Sequence, residues 1–359
     1  MKIALICSDS GSGGLIKYIN SFLDTPTENL INLYCGENLG VKNSRYVNII
    51  RTPFANESGK ELLLNRPLSQ GLIKLVEEFD PEVVVFMNGY MRKGLEKYKC
   101  ITILHNQLTI DRKLLLKQRP LRLVASMLAV RKAVLYGFKN ADGQIFLSHA
   151  SKIQTDKLGY KYKNGKVILF GHYAKILREA IPSKKEMVYV STQFPYKNHK
   201  RLLKALSIVK KSHADFHVSF VGCKTPDKLI KLTKKLGLEK NVTFCGWMNH
   251  EEVIKTIHGA EIYLHASFIE STSNGVLEGV VEGNTIVCSN LPVFTEAVGD
   301  TAYYFNPKKV NEIANAIKKA YENPKPLTIA DCEKILKPYD FVNGVRKVYE
   351  YAEEIKGRN

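Results

Sequence analysis

The chain has 359 residues, which is long for a single core and comfortable for two domains of ordinary size. With 45% hydrophobic and 25% charged residues it is not an intrinsically disordered protein, and no apolar run approaches the roughly 18 residues of a transmembrane helix. The 53 Lys and Arg against 35 Asp and Glu give a formal net charge of +18. This charge favours a polyanionic partner, such as nucleic acid, an acidic membrane surface or a phosphorylated small molecule.

The first residues and the cysteines indicate a cytosolic protein. The apolar run after Met1 stops at Ser8, too early for a secretory signal, so we predict the first strand of a fold there. The seven cysteines are scattered singly and form no C-x-x-C pair. This pattern is typical of reduced, buried thiols and argues against a structural zinc site.

Short β-branched runs alternate with longer amphipathic stretches along the whole chain. KIALIC, EVVVFM, ITILH, GQIFLS and KVILFG predict buried parallel strands, and a second series follows with MVYVST, FHVSFVG, NVTFCG, AEIYLHA and NTIVCSN. Two such series predict two doubly wound α/β domains, at residues 1–174 and 188–335. A charged linker is predicted at 175–187 and a C-terminal helix at 336–359. Ligands of such sheets bind beyond the carboxyl ends of the strands, and two facing domains imply a cleft.

The loop after the first predicted strand, SDSGSGGLIKYI, is rich in glycine. The backbone N–H groups around Gly13 and Gly14 could approach an anion closely where the next helix begins. The spacing is not a dinucleotide fingerprint, because its third glycine would fall at Ile16. A tight turn without a ligand explains these residues equally well.

His105 and Asn106 directly follow the strand ITIL, at the edge of the sheet where a cleft would lie. A single histidine at such a place is either structural or a functional group of the site, and the sequence leaves both alternatives open.

The segment 107–139 has a strong excess of positive charge, with one acid, Asp111. A solvated helix face and a surface that docks on anionic lipid are both consistent with this pattern. Its eight basic residues are Arg112, Lys113, Lys117, Arg119, Arg122, Arg131, Lys132 and Lys139.

Lys197 lies in the loop STQFPYKNHK, just before a predicted helix. A cation near a helix N-terminus opposes the helix dipole unless an anion is also bound there. Lys197 is therefore a candidate phosphate ligand.

The stretch ESTSNGVLEGVVEG places Glu270 and Glu278 on either side of small polar residues that open a helix. The free N–H groups of its first turn form an anion site. Carboxylates beside a diphosphate would repel it, so we expect them to accept hydrogen bonds from hydroxyl groups. Alternatively, Glu278 simply completes a capping box with Gly275 as the N-cap.

Around these residues the sequence resembles the GT4-like (group 1) glycosyltransferases, retaining enzymes of the GT-B fold that use nucleotide-sugars. Their E-x(7)-E signature matches Glu270 and Glu278, and the resemblance is specific over residues 188–306. It implies two Rossmann-like domains facing across a cleft, with the C-terminal helix packing back on the first domain.

The resemblance also implies a role for each matching residue. Glu270 would contact the donor sugar, Glu278 the ribose, and Lys197 the diphosphate, together with backbone amides of the helix tip. The loop at Gly246 and Trp247 would border the base. The family's usual arginine, five residues before the lysine, is Thr192 here. The implied catalytic residues are Glu270, His105 and Lys197, and the implied substrate-binding residues are Gly13, Gly14, Asn106, Thr192, Gly246, Ser273, Asn274, Gly275 and Glu278.

The resulting hypothesis is transfer of a hexose, with retention of configuration, from a UDP- or GDP-linked donor to a lipid-linked or oligosaccharide acceptor. We expect no cofactor and no metal, since the chain contains no D-x-D motif. We expect a cytoplasmic protein at the inner face of the membrane, docked through 107–139. No nucleic acid is expected, because no RNP-type motif or zinc finger occurs. The alternatives are a nucleotide-sugar epimerase of the same fold and a non-enzymatic polyanion-binding protein.

Overall fold

The computed structural model describes residues 1–7, 13–55, 66–118, 121–171, 186–224 and 227–358. The chain divides into two compact units. The first contains Met1–Gly171 together with Tyr339–Asn359, and the second contains His172–Pro338. Most of the predicted linker 175–187 lies outside the described residues, and the first strand of the second unit begins at Glu186.

The first unit is built on a parallel seven-stranded sheet in the order β3-β2-β1-β4-β5-β6-β7. Its central strands are buried on both faces, as expected where helices cover a parallel sheet on both sides. The strands are β1 (Lys2–Cys7), β2 (Leu30–Cys35), β3 (Asn48–Arg51), β4 (Val83–Phe86), β5 (Lys99–Leu104), β6 (Gly143–Phe146) and β7 (Gly165–Val167).

The helices of the first unit include one from the far end of the chain. The C-terminal helix α13 packs with α1 in the same hydrophobic core, where its buried Phe341, Val345 and Ala352 join Ile3 and Phe22. The chain therefore returns to its first unit at its end. The helices are α1 (Gly13–Asp24), α2 (Gln70–Phe79), α3 (Arg112–Leu115), α4 (Leu121–Asn140), α5 (His149–Lys157) and α13 (Phe341–Lys356).

The second unit is built on a parallel six-stranded sheet in the order β10-β9-β8-β11-β12-β13. Its strands are β8 (Glu186–Val190), β9 (His217–Val221), β10 (Val242–Gly246), β11 (Ile262–His265), β12 (Thr285–Ser289) and β13 (Tyr303–Phe305). Its helices are α6 (His199–Val209), α7 (Asp227–Lys235), α8 (His250–His258), α9 (Asn274–Val281), α10 (Pro292–Val298), α11 (Val310–Glu322) and α12 (Ile329–Leu336).

The predicted fold class is confirmed: both units are parallel, Rossmann-like α/β structures, and the last helix packs on the first of them. The sheets also include β2, β3 and β13, which were not among the predicted strands. In the described part of the chain, no helix is both long enough and apolar enough to cross a membrane.

Candidate functional site

The strand order of the second unit reverses between β8 and β11, because the chain runs outward from β8 to β10 and then returns to pair β11 with β8. Ligands of doubly wound sheets bind at such a switch point, beyond the carboxyl ends of the strands. Two loops leave the sheet there, residues 191–198 after β8 and residues 266–273 after β11. A backbone hydrogen bond from Phe268 N to Tyr196 O, 2.8 Å long, joins them.

Lys197 and Glu270 form an ion pair across these two loops. Lys197 Nζ lies 2.5 Å from Glu270 Oε1, and only 16% and 17% of the two side chains are exposed. The Lys197 carbonyl accepts a hydrogen bond from the buried Tyr189 hydroxyl. Asn198, in the left-handed conformation at φ 64°, donates its side-chain amide to Pro307 O at 2.8 Å. The cation is therefore held in place by the backbone that carries it.

Electrostatics keep the Glu270 carboxyl ionised. Burial alone would raise its pKa, but the Lys197 ammonium and the hydrogen-bonded His265 ring outweigh burial and lower the pKa to about 2. His265 Nε2 lies 3.3 Å from Glu270 Oε1. At neutral pH the switch point therefore holds one carboxylate and one ammonium, whose charges neutralise each other.

Helix α9 points its N-terminus at the same place. Ser273 is its N-cap, but the serine side chain accepts no hydrogen bond from the first turn. The buried Ser273 Oγ has no hydrogen-bond partner among the described residues. The first-turn N–H groups of α9 are therefore not capped by this side chain and remain suited to an anion.

The capping-box alternative for Glu278 is wrong. Because the N-cap is Ser273 and not Gly275, the third helical residue is Val276, and Glu278 falls in the second turn. The structure instead places Glu278 half-buried on the helix whose tip adjoins Glu270. Gly275 lies against the His265 ring, where a Cβ atom would come within 2.6 Å of Cε1.

Other predicted residues of the second unit lie at the same edge of the sheet. Thr192 is exposed in the loop after β8, and Gly246 ends β10 with φ +71°. Trp247, which follows, is 71% exposed. Gly222, which the sequence analysis missed, has φ +93° and leaves only 2.8 Å between its ideal Cβ position and Ser191 O. Glycine is thus required where the loops after β8 and β9 approach each other.

The remaining predicted residues belong to the first unit. Burial of the His105 ring lowers its pKa to about 4, so the ring is neutral at pH 7. The ring packs edge-on against Tyr18 with centroids 4.9 Å apart. The Asn106 side chain accepts a hydrogen bond from Leu108 N at 3.0 Å and so caps a short turn. Both residues therefore make structural contacts. For His105 these contacts are consistent with a structural role, one of the two alternatives that the sequence leaves open.

The glycine-rich turn is described only in part. Helix α1 begins at Gly13, and a Cβ atom on Gly14 would have no neighbour within 4 Å. Residues 8–12, which include the serines of this loop, lie outside the described residues. The sequence analysis did not identify Gly89, which has φ +84°. A Cβ atom there would lie 2.7 Å from Ile103 O and 3.2 Å from His105 N.

The basic segment 107–139 divides into inward and outward side chains. Arg131 points inward, where Nη1 donates to Thr109 O at 3.0 Å and to Ile110 O at 2.8 Å. It is therefore a structural residue and not part of a docking face. Leu116 and Leu121 are 48% and 68% exposed beside exposed basic residues, and Arg119 lies outside the described residues.

Comparison with known proteins finds a family that the second unit matches. Residues 176–334 match the family described as Glycosyl transferases group 1. Over 157 residues the chain is 24% identical to O-antigen chain mannosyltransferase B of Escherichia coli, a match that covers 43% of this chain and 41% of the relative. The chain thus spans about two fifths of the length of this curated relative.

Solved structures show the same fold. Sucrose-phosphate synthase from Thermosynechococcus elongatus superposes with a TM-score of 0.80 at 16% identity, over 99% of both chains. Anabaena HepE, solved with UDP-glucose, superposes with a TM-score of 0.72 at 17% identity, over 99% of this chain and 100% of that one. The two units are thus the two Rossmann-like domains of a GT-B structure.

Proposed function

From the premise that the chain carries a group 1 glycosyltransferase domain, we propose that the protein transfers a hexose from a nucleotide-sugar to a glycan acceptor, with retention of configuration. The observation that carries the proposal is the Lys197–Glu270 pair at the switch point, beside the open N-terminus of α9. Lys197 and the helix tip suit the diphosphate of a donor, and Glu270 suits the hydroxyl groups of its sugar.

The proposed chemistry depends on stabilising the leaving group. As the bond between the anomeric carbon and the diphosphate oxygen breaks, negative charge grows on the diphosphate. The α9 N–H groups and Lys197 would stabilise that charge, and we propose on this ground that no metal ion is required. The acceptor hydroxyl attacks from the face that the diphosphate leaves and gives its proton to that group. Glu270 and Glu278 act as binding residues, for the sugar and the ribose.

The donor is proposed to be UDP- or GDP-linked. We propose that the exposed Trp247 and the neighbouring Gly246 border the nucleotide base of the donor. HepE was solved with UDP-glucose, which supports a UDP-linked donor, and GDP-sugars are the second class of donor to be screened.

The acceptor is proposed to be lipid-linked and reached at the inner face of the cell membrane. Support comes from the exposed Leu116 and Leu121, which belong to the same basic segment as the exposed cations Arg112, Lys113 and Lys117. Apolar side chains within a basic surface suit an anionic bilayer, because hydrophobic insertion and charge attraction act together. The first unit would then hold the enzyme near a membrane-bound substrate.

A donor screen by thermal unfolding tests the proposed function. A nucleotide-sugar present at about 100 times its Kd should add roughly 2.7 kcal/mol to the stability of the protein. We expect one member of a panel of UDP- and GDP-sugars to do so, and Glu270→Ala to abolish the effect. A panel without any stabilising nucleotide-sugar would contradict the proposal.

Product analysis separates the alternatives. A transferase needs an acceptor to change the donor sugar, whereas an epimerase changes it alone. A polyanion-binding protein would retain RNA in a filter assay and would lose none of that binding in Glu270→Ala.

Sedimentation with vesicles of phosphatidylglycerol tests the membrane proposal. Reversing three charges in Arg112→Glu, Lys113→Glu and Lys117→Glu should weaken binding more than about 100-fold, at about 1 kcal/mol for each basic residue lost. A triple reversal on the exposed face of α7, at Lys228, Lys231 and Lys235, is the control for net charge. Equal loss in both variants would show that total charge, and not this surface, governs binding.

A further inference from the structure

His265 is a buried histidine at the carboxyl end of β11, and the sequence analysis includes it only as a residue of the predicted strand AEIYLHA. It is 3% exposed. The sheet aims its side chain at the switch point, since the loop with Glu270 begins directly after it. A buried polar ring at this position needs a hydrogen-bond partner, and the groups that it contacts indicate its role.

The ring contacts the sugar-binding carboxylate. Nε2 lies 3.3 Å from Glu270 Oε1 and 3.2 Å from Ser267 Oγ. Burial lowers the pKa of His265, so the ring is neutral at pH 7 and carries one N–H. Because an ionised carboxylate only accepts hydrogen bonds, that N–H is on Nε2 and donates to Glu270.

The other side of the ring contacts helix α9. A Cβ atom at Gly275 would lie 2.6 Å from Cε1 and 3.0 Å from Nδ1 of His265, so the ring rests directly on the backbone of the first helical turn. Phe294 packs edge-on with its ring centroid 5.1 Å away, and Tyr189 does so at 5.8 Å. These neighbours prevent the ring from shifting, so it bridges Glu270 and the helix tip as a fixed spacer.

We propose that His265 is a positioning residue for sugar transfer, which holds the Glu270 carboxylate at a set distance from the N-terminus of α9. The inference rests on the proposed function. Of the two hydrogen-bond partners that the described residues give Glu270, Lys197 is the one that a diphosphate would engage. His265 then retains Glu270 in place against the sugar hydroxyls while the phosphates bind the helix.

Three variants test the inference. His265→Leu fills the space without a hydrogen-bond donor, and His265→Gln returns an amide N–H near the position of Nε2. The control is His258→Leu, which breaks another histidine–glutamate contact of the same unit, where Nδ1 lies 2.9 Å from the buried Glu282. The measured quantities are kcat/KM for the nucleotide-sugar found in the donor screen, the Kd of the matching nucleoside diphosphate (UDP or GDP), and the thermal unfolding midpoint.

We expect His265→Leu to lower kcat/KM about 10- to 100-fold, the range for a lost hydrogen bond to a charged group, with the nucleoside diphosphate Kd changed less than threefold. His265→Gln should recover activity to within about fivefold of the wild type. His258→Leu should lower the unfolding midpoint and leave kcat/KM within about threefold.

Two results would overturn the inference while leaving the proposed function intact. The first is a wild-type kcat/KM in His265→Leu, and the second is an equal fold-loss of kcat/KM and of nucleoside diphosphate affinity in that variant. If the wild-type protein itself binds neither UDP, GDP nor their sugars, the proposed function fails first, and this result is separate from the behaviour of the variants.

Discussion

Replacing Lys197 by methionine should destabilise the protein by about 3 kcal/mol at neutral pH. The substitution keeps most of the side-chain volume and leaves the Glu270 carboxylate, 17% exposed, without its counter-charge. Breaking a buried ion pair in this way costs about 3–5 kcal/mol, and partial exposure places this pair at the lower end. The Lys197 charge is also the largest of the influences that lower the Glu270 pKa to about 2, so its removal acts in the destabilising direction.

The effect should also depend on pH in a defined direction. Because the folded-state pKa of Glu270 lies below its unfolded-state value, the stabilisation is fully present above about pH 4.5 and is lost as the pH falls towards about 2. The difference in unfolding free energy between wild type and Lys197→Met should therefore shrink to less than half on going from pH 7 to pH 3. Urea unfolding at both pH values measures it.

A double-mutant cycle with Glu270→Gln isolates the pairwise energy. We expect a coupling of about 2–3 kcal/mol between Lys197 and Glu270. The exposed pair Lys255–Glu251, on α8 with N–O distance 2.9 Å and side chains 74% and 78% exposed, should give less than about 0.5 kcal/mol. A coupling below 0.5 kcal/mol at the site pair, or a destabilisation unchanged between pH 7 and pH 3, would refute the reasoning.

Two further predictions use matched substitutions. Gly275→Ala and Gly279→Ala, one turn apart on α9, both place a Cβ atom at 2.6 Å, against His265 and Tyr263 respectively, so each should cost about 1–3 kcal/mol in urea unfolding. Only Gly275→Ala should also lower sugar transfer at temperatures where both variants are folded, and equal activities would contradict this. In the basic segment, Arg131→Met should cost about 3 kcal/mol because two backbone carbonyls lose a charged donor. Arg122→Met, at an exposed position of the same helix, should change stability by less than about 0.5 kcal/mol.

Most of the strands and the edge of the sheet where the site lies follow from the sequence, because buried parallel strands are recognisable as short β-branched runs. Once the runs after Glu186 are taken as one doubly wound unit, the loops that carry Lys197 and Glu270 fall at its switch point. The ion pair between them does not follow from sequence. It depends on a backbone bond between two loops more than seventy residues apart, from Phe268 to Tyr196.

Two errors have a common physical origin. The small polar residues between Glu270 and Glu278 can each cap a helix, and only the path of the chain out of β11 selects Ser273 rather than Gly275 as the N-cap of α9. Likewise, charge alone cannot show which basic side chains of a helix face inward. Arg131 does so because the turn at Thr109 and Ile110 presents carbonyl groups to it. Helix boundaries and side-chain direction are set by tertiary contacts that local patterns do not contain.

His265 was missed because it stands at the end of a run of strand residues and reads as part of the strand. The signal that could have found it is polarity at the carboxyl end of an otherwise buried strand, next to a predicted switch point. The same position explains Gly275, which the sequence presents only as a small residue near a helix start. The His265 ring occupies the space that a Cβ atom at position 275 would need. His265 on β11 and Gly275 on α9, ten positions later in the chain, are therefore one packing unit. As a result, the His265 ring, which donates a hydrogen bond to Glu270, has a fixed position relative to the N-terminus of α9 before any ligand binds.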